Sequence, residues 1–282
     1  MRGRSKETLL TEQAIGMIVH ARKPITVRGI CYALFTKGLI PDMSTNSTKR
    51  ISRITTRMRE DGEIDWRDIV DDSRIPARVT QWSEPDQIIE AATNNYRKDY
   101  WQDQPRIVEV WSEKSTVKGL LAPVLDEWGV TFRPFKGFGS FTAVMQAAVD
   151  SRAVEGDGKV LEVLYLGDHD PSGRYMSDVD LPERLSRYGA EVYVDRIAVD
   201  MDYDASLPSF AAKKTDKRYK WFVAEHGQKC IELDALNPNV LRERVNNAIR
   251  SYVDMESWAR MVMVEEAEKE SMRDFLTKWR AA

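Results

Sequence analysis

Residues 159–173 read KVLEVLYLGDHDPSG, and their pattern decides which kind of sheet the chain builds. Val160, Val163, Leu164, Tyr165 and Leu166 form a nearly continuous apolar run rather than an alternating one. Such a run suits a strand buried on both faces, as in a parallel sheet covered by helices. It stops abruptly at Asp168 and Asp170. In open α/β sheets ligands bind outside the carboxyl ends of the strands, so two acids placed there are candidates for chemistry.

The surrounding sequence keeps the same rhythm. From Arg106 onward short apolar strands alternate with helices: Ile107–Trp111, helix Val117–Trp128, Val130–Phe132, helix Phe141–Val149, the 159–167 strand, helix Leu181–Tyr188, then Glu191–Val199. This βαβ alternation predicts a parallel sheet wrapped by helices. Beyond it lie a basic segment (Lys213, Lys214, Arg218), a strand-like Cys230–Leu236 and two helices. The last, Met255–Trp279, is charged on most faces and reads as packing support or a dimer element.

Toward the N-terminus the period changes to that of short helices. Residues 7–21 carry a loose apolar stripe ended by Lys23-Pro24, and Thr26 can cap a second helix over Val27–Lys37, stopped by Gly38. A third begins at Ser44 or Thr45, with Ile51, Ile54 and Met58 as its stripe, and runs to Asp61-Gly62. Three helices followed by a turn-rich stretch to Pro76 predict a winged helix. Ser83-Glu-Pro-Asp opens a linking helix from Asp86 to about Trp101, closed by Gln104-Pro105. The expected fold is α/β with an N-terminal α+β winged-helix domain. Its parts are residues 1–80 (winged helix), 81–105 (helical linker), 106–254 (parallel sheet flanked by helices) and 255–282 (C-terminal helix).

Composition narrows the function classes. The 282 residues hold 42% apolar residues, enough for ordinary cores, and no apolar run of membrane-spanning length. MRGRSKET has no apolar segment behind it, so neither a signal peptide nor a span is expected, and a cytoplasmic location follows. Cys31 and Cys230 are too few and too far apart for a disulfide framework or a zinc site. Residues 1–60 hold 12 Lys/Arg against four acids, a net of +8. Of the whole-chain totals of 42 and 45, that leaves 30 basic and 41 acidic residues, a net of −11 elsewhere. Such asymmetry points to a nucleic-acid-facing N-terminal end. Lys49, Arg50, Arg53 and Arg57 lie on the third helix, which in helix-turn-helix modules enters the major groove. The same residues also suit a solvated helix face.

The first strand of the α/β unit, IVEVWSEKS, also ends in a carboxylate, Glu113. Two strands delivering Glu113, Asp168 and Asp170 to one sheet edge form a cluster that needs a cation. Hard oxygen donors favour Mg²⁺, with Mn²⁺ an alternative. Lys114 can hold a phosphate or offset the cluster's excess charge. The competing reading is that Asp168 and Asp170 only cap the helix that Pro171-Ser-Gly introduces.

Several of these stretches carry a resemblance. VEVWSEKS, GFGSF and LYLGDHDPSG resemble the Toprim domain of topoisomerases and related nucleases. VRGICYALFTKGLI followed by a basic helix is similar to the winged-helix domain of the topoisomerase VI A subunit, whose family includes the protein that makes meiotic double-strand breaks. The likeness is weaker over residues 26–70 and better over 106–250, and the chain is as short as the compact A-subunit-like proteins of mobile elements. The family has Arg, three residues, then a catalytic Tyr, matched here by Arg28 and Tyr32, with Cys31 where a first tyrosine usually stands. An Asp-x-Asp after a strand also opens the haloacid-dehalogenase phosphatases, which need no Glu on an earlier strand.

The resemblance implies a type IIB topoisomerase-like, isomerase-class enzyme, nucleoid-associated, acting on double-stranded DNA with Mg²⁺. Tyr32 would attack a backbone phosphate and give a 5′-phosphotyrosyl product, Arg28 would stabilise the phosphorane, and Glu113, Asp168 and Asp170 would hold the metal. It further implies a homodimer in which the tyrosine of one subunit meets the acids of the other. With no glycine-rich phosphate loop, strand passage would need a separate ATPase B-type subunit. Tyr32 lies among Ile30, Leu34 and Phe35, so packing is its alternative role. A Toprim nuclease using water and a non-catalytic DNA-binding protein are the alternative functions.

Overall fold

The computed structural model describes residues 6–70, 81–135 and 141–281. Residues 71–76 of the stretch expected to form the wing, and the GFGS part of GFGSF, lie outside the described residues.

The N-terminal unit consists of α1 (Lys6–Arg22), β1 (Ile25–Thr26), α2 (Val27–Thr36), α3 (Thr45–Glu60), a 3₁₀ turn at Trp66–Asp68 and β2 (Ile69–Val70). Its helices start where the capping residues place them. Thr26 Oγ1 accepts from Gly29 N at 2.9 Å, and Ser44 Oγ accepts from Ser47 N at 3.3 Å. Gly38, at φ +68°, ends α2 in the left-handed conformation. Ile15, Ile18, Ile25, Ile30, Leu34, Ile51 and Met58 close a common core. β1 and β2 pair in parallel, Ile25 with Ile69 and Thr26 with Val70.

The α/β unit follows α4 (Pro85–Asn95). Its order is β3 (Arg106–Ser112), α5 (Val117–Trp128), β4 (Thr131–Pro134), α6 (Phe141–Gly156), β5 (Val160–Leu166), α7 (Pro171–Tyr175), α8 (Leu181–Arg187) and β6 (Tyr193–Ala198). Then come α9 (Met201–Asp204), β7 (Phe210–Ala211), α10 (Tyr219–His226), β8 (Lys229–Cys230), α11 (Pro238–Ser251) and α12 (Met255–Ala281). Four strands form one parallel sheet in the order β4-β3-β5-β6. Both faces are covered, as the continuous apolar run required. Leu164 and Leu166 pack with Leu121, Val245 and Ile249, while Leu161, Val163 and Tyr165 pack with Val144, Leu181 and Leu185. Pairing of Ser112 with Leu166 brings Glu113 level with the turn that follows β5.

Two elements differ from the sequence expectation. The linking helix stops at Asn95 rather than Trp101, because Tyr100 and Trp101 turn inward against Trp258, with ring centroids 4.7 and 5.6 Å apart. Arg97 meanwhile donates to the carbonyls of Asp126 and Glu127, at the end of α5. The strand-like Cys230–Leu236 is a strand only at Lys229–Cys230. His169 pairs with Ile231, and Leu233–Ala235 then winds into a 3₁₀ turn. The C-terminal α12 packs along α4, where Arg280 pairs with Asp86 and Glu90, in line with packing support. Among the described residues no helix is long and apolar enough to cross a membrane.

The two units meet along several elements. The Arg242 guanidinium on α11 donates to the carbonyls of Arg22, Lys23, Pro24 and Leu120. Asn239 Nδ2 donates to Ala21 O at 3.0 Å. Gly119 on α5 faces Val70 so closely that a Cβ there would sit 2.6 Å from Val70 Cγ1.

Candidate functional site

Glu113, Asp168 and Asp170 follow the carboxyl ends of the adjacent strands β3 and β5. Asp168 N–H donates to Glu113 Oε1 at 2.8 Å, so the β5 turn is fastened to the end of β3. Burial first, then the Asp168 carboxylate, pushes the Glu113 carboxyl up to about 7; the Asp170 charge adds to this. Asp170 Oδ1 accepts from Gly173 N at 2.7 Å and so caps α7, the alternative role considered for it. Gly173 is required by close approach. A Cβ at that position would lie 2.3 Å from the Asp168 carbonyl oxygen. His169 is 2% exposed, in contact with the rings of Phe222 and His226. Neither of its ring nitrogens has a hydrogen-bond partner among the described residues.

Lys114 pairs with two carboxylates. Its Nζ lies 2.7 Å from Asp168 Oδ1 and 2.8 Å from Asp234 Oδ2, offsetting charge inside the cluster. Asp168 Oδ1 also accepts from Leu233 N at 2.7 Å. Asp168 nevertheless titrates above its usual range, because burial outweighs these donors.

Beneath the turn lies a residue that the sequence reading did not single out, Arg196 of β6. It donates to Gly167 O at 2.8 Å, to Ser177 Oγ at 2.8 Å and to the carbonyls of Asp168, Gly173 and Val199, with its Cζ 5.5 Å from the Tyr165 ring centroid. Burial, then the neighbouring Arg174, pulls its pKa below the usual arginine value. Buried carbonyls that converge on one guanidinium hold the acid-bearing turn in a single conformation.

The other half of the site comes from α2, which packs on the 3₁₀ turn at Leu233–Ala235. Thr26 Oγ1 donates to Asp234 Oδ1 at 3.0 Å while still capping α2. Arg28 engages Glu232 with both Nε and Nη2, and its Cζ lies 5.9 Å from the Tyr32 ring centroid. Tyr32 is 5% exposed. Burial and the Glu232 carboxylate raise its phenol to about 12, against the opposing pull of Arg28. Its ring also forms part of a cavity of about 240 Å³ with Phe35, Met43, Pro208 and Phe210.

Glu232 and Asp234 thus join the candidate site, and sequence reasoning did not single them out.

The predicted basic set divides. Arg50 pairs with Glu7 at 2.9 Å and Arg57 with Glu12, so both turn onto α1. Lys49 and Arg53 are exposed. Lys49 and Arg28 line a common cavity of about 270 Å³ between α2 and α3, together with Thr48 and Ser52.

Among the described residues no three His, Cys, Asp or Glu side chains converge in a ready-made metal-ligand group. The donor chemistry fits a hard divalent cation all the same. Lys114 and Arg28 pair with Asp168, Asp234 and Glu232, while Glu113 and Asp170 add further oxygen donors at the same edge, and burial followed by the Asp168 carboxylate raises the Glu113 carboxyl to about 7. No protein-family model matches the chain, and no curated protein matches it.

Proposed function

We propose that the protein cleaves double-stranded DNA by tyrosine transesterification, with Tyr32 as nucleophile and the carboxylate cluster as a Mg²⁺ site in a Toprim-type domain behind a winged helix. The observation that supports this reading is the docking of the helix that bears Arg28 and Tyr32 beside the acid-bearing turn, through Arg28 on Glu232, Thr26 on Asp234 and Leu233 N on Asp168.

The roles follow from chemistry. DNA phosphates would track the exposed Lys49 and Arg53 and enter the cavity lined by Lys49 and Arg28. Arg28, one turn before Tyr32, would exchange Glu232 for the phosphate, neutralising the charge that develops on its oxygens. That exchange removes the carboxylate's partner from beside the phenol and brings the nucleophile to bear on phosphorus. The Tyr32 oxygen–phosphorus bond forms as the bond to the 3′ oxygen breaks; the phenolic proton would pass to the Glu232 carboxylate that Arg28 has released, and the 3′ oxygen would leave as a hydroxyl by taking a proton from solvent. Glu113, Asp168 and Asp170 would hold Mg²⁺, which when bound supplies charge neutralisation at the phosphate and the leaving oxygen. Lys114 and Arg196 keep the acids in place. Relaxation of the cut duplex and a separate ATPase subunit are further elements of this proposal.

One observation favours a second reading, a Toprim nuclease that uses water. A phenol 5% exposed and raised to about 12 is also what a packing tyrosine looks like. One experiment separates the two: supercoiled plasmid is incubated with the protein and Mg²⁺, quenched with detergent, and compared with and without protease. Transesterification predicts DNA that carries protein on a 5′ end and loses it with Tyr32→Phe. Cleavage that persists in Tyr32→Phe with free 5′ ends would select the nuclease.

A further inference from the structure

The segment from β7 to β8 carries a charge that the rest of its unit lacks. Residues 210–230 hold six Lys/Arg against two acids, a net of +4, within a stretch from 61 onward whose net charge is −11. Lys213, Lys214, Lys217 and Lys220 are all exposed, and among the described residues none of their ammonium groups pairs with a carboxylate. Elsewhere in the unit Lys114, Arg133, Arg174 and Arg244 are spent on acids. Asp216 is the one acid between Lys213 and Lys220. It accepts from Arg218 N at 2.8 Å and lies 3.8 Å from the Arg218 guanidinium, so it faces Arg218 rather than the lysines.

These lysines stand on an anchored scaffold. Phe210–Ala211 pairs antiparallel with Lys229–Cys230, and Ala212 N donates to Gln228 O at 2.9 Å. Phe222 of α10 is fully buried, and its ring lies 5.4 Å from that of His169, with His226 at 5.8 Å. Trp221 and the Arg218 guanidinium both contact the ring of Tyr175 on α7, each at 5.3 Å. His169 stands between Asp168 and Asp170 in the chain, so the segment packs directly on the acid-bearing turn. From residue 211 to residue 229 no large apolar side chain is exposed. Protein–protein interfaces are depleted in lysine, and a membrane-surface segment needs an apolar face. A lysine-rich surface without either feature suits a polymer of phosphates.

We infer that the β7–α10–β8 segment is a second DNA-binding surface, on which Lys213, Lys214, Lys217 and Lys220 take backbone phosphates of duplex DNA lying against the acid-bearing turn. The inference rests on the proposed action on DNA for the identity of the polyanion. It requires neither Tyr32 as nucleophile nor a metal on the acids. Contacts of this kind fix the position of the duplex and carry no sequence preference.

Two readouts test it, both in EDTA so that cleavage plays no part. The first is fluorescence anisotropy of a labelled duplex between about 50 and 200 mM NaCl. Lys213→Gln with Lys217→Gln should make the slope of log affinity against log salt shallower by about 1.8, the share of two phosphate contacts. Lys118→Gln with Lys278→Gln removes the same charge from exposed positions on α5 and α12 and should leave the slope unchanged. An unchanged slope in the first variant, or an equal loss in the second, overturns the inference. Lys49→Gln with Arg53→Gln separates the failures: if this pair lowers the slope and the Lys213 and Lys217 pair does not, the second surface alone is refuted. Wild-type protein that binds no duplex refutes it together with the DNA reading.

The second readout is acetylation of the wild-type chain by N-hydroxysuccinimidyl acetate, mapped by mass spectrometry. Duplex DNA should protect Lys213, Lys214, Lys217 and Lys220 and leave Lys118 and Lys278 reactive. Protection by phosphatidylserine vesicles and not by duplex would assign the surface to a membrane and overturn the inference.

Discussion

Replacing Lys114 by Met tests the electrostatics of the cluster most directly. The Lys114 ammonium lies 2.7 Å from Asp168 and 2.8 Å from Asp234, and the three side chains are 21%, 16% and 9% exposed. Methionine keeps the stem's volume and removes the charge, leaving two buried carboxylates without their shared partner. Breaking a buried pair in this way costs about 3–5 kcal/mol. At an unfolding entropy of about 2.1 cal/mol/K per residue, a chain of 282 residues has about 0.6 kcal/mol/K, so the melting temperature should fall by about 5–8 °C at pH 8.

The pH dependence has a definite sign. Asp168 already titrates above its usual value, with Lys114 opposing the shift, so its loss raises that folded-state pKa further. A carboxyl whose folded pKa is raised is stabilising in its protonated form, and that contribution is lost as pH rises through the folded pKa. The deficit should therefore shrink between pH 8 and pH 5. Thermal melts by circular dichroism at both pH values, in EDTA and in Mg²⁺, measure it. Mg²⁺ should recover more of the loss in the variant than it adds to the wild type, because the cation replaces the missing charge. A variant melting within about 1 °C of wild type at pH 8 would refute the idea that Lys114 neutralises this cluster. An equal gain with Mg²⁺ in both proteins would detach the metal from these acids.

Two other substitutions probe the turn. Gly173→Ala places a methyl carbon 2.3 Å from the Asp168 carbonyl, and an overpacked contact of this kind costs about 1–3 kcal/mol; calorimetric titration with Mg²⁺ should show weakened binding, whereas Ser172→Ala next to it should bind normally. The His169 ring is buried with neither nitrogen hydrogen-bonded among the described residues, and burial, then the charge of Arg174, lowers its pKa to about 4. A lowered histidine stabilises the fold above its unfolded pKa of about 6.5 and loses that contribution as pH falls toward 4, a span worth about 3 kcal/mol. His169→Phe should thus flatten the melting profile between pH 7 and pH 4, and an unchanged profile would place the acid sensitivity elsewhere.

Much of the α/β unit was legible because its signals are local and periodic. The β5 run, its abrupt end in acids, and the helix at Val117–Trp128 follow from residues within a few positions of each other. The linking helix was overextended because Tyr100 and Trp101 satisfy a helical pattern as well as they fit beside Trp258, and only the tertiary partner decides between the two. The basic helix was visible as composition, but which of its cations faces outward depended on Glu7 and Glu12, roughly forty residues earlier in the chain.

The least legible residues are those whose work is to join distant segments. Arg196 is one basic residue in a strand, with no local pattern to separate it from a solvated one, and its role exists only because five acceptors from three segments converge on it. Glu232 and Asp234 stand in a stretch whose apolar alternation reads as a strand, and that reading assigns their side chains to a solvent face. The strand instead ends at Cys230, since Ile231 pairs with His169 of the acid-bearing turn and the chain then winds tightly enough for Leu233 N to reach Asp168. The same bend that interrupts the strand thus turns Glu232 and Asp234 toward α2. Arg28 and Tyr32 are separated from the Asp-x-Asp by well over a hundred residues, and what brings them to it is this short turn. A sequence can advertise a nucleophile and an acid pair through their motifs; the residues that set one against the other leave only two unremarked carboxylates.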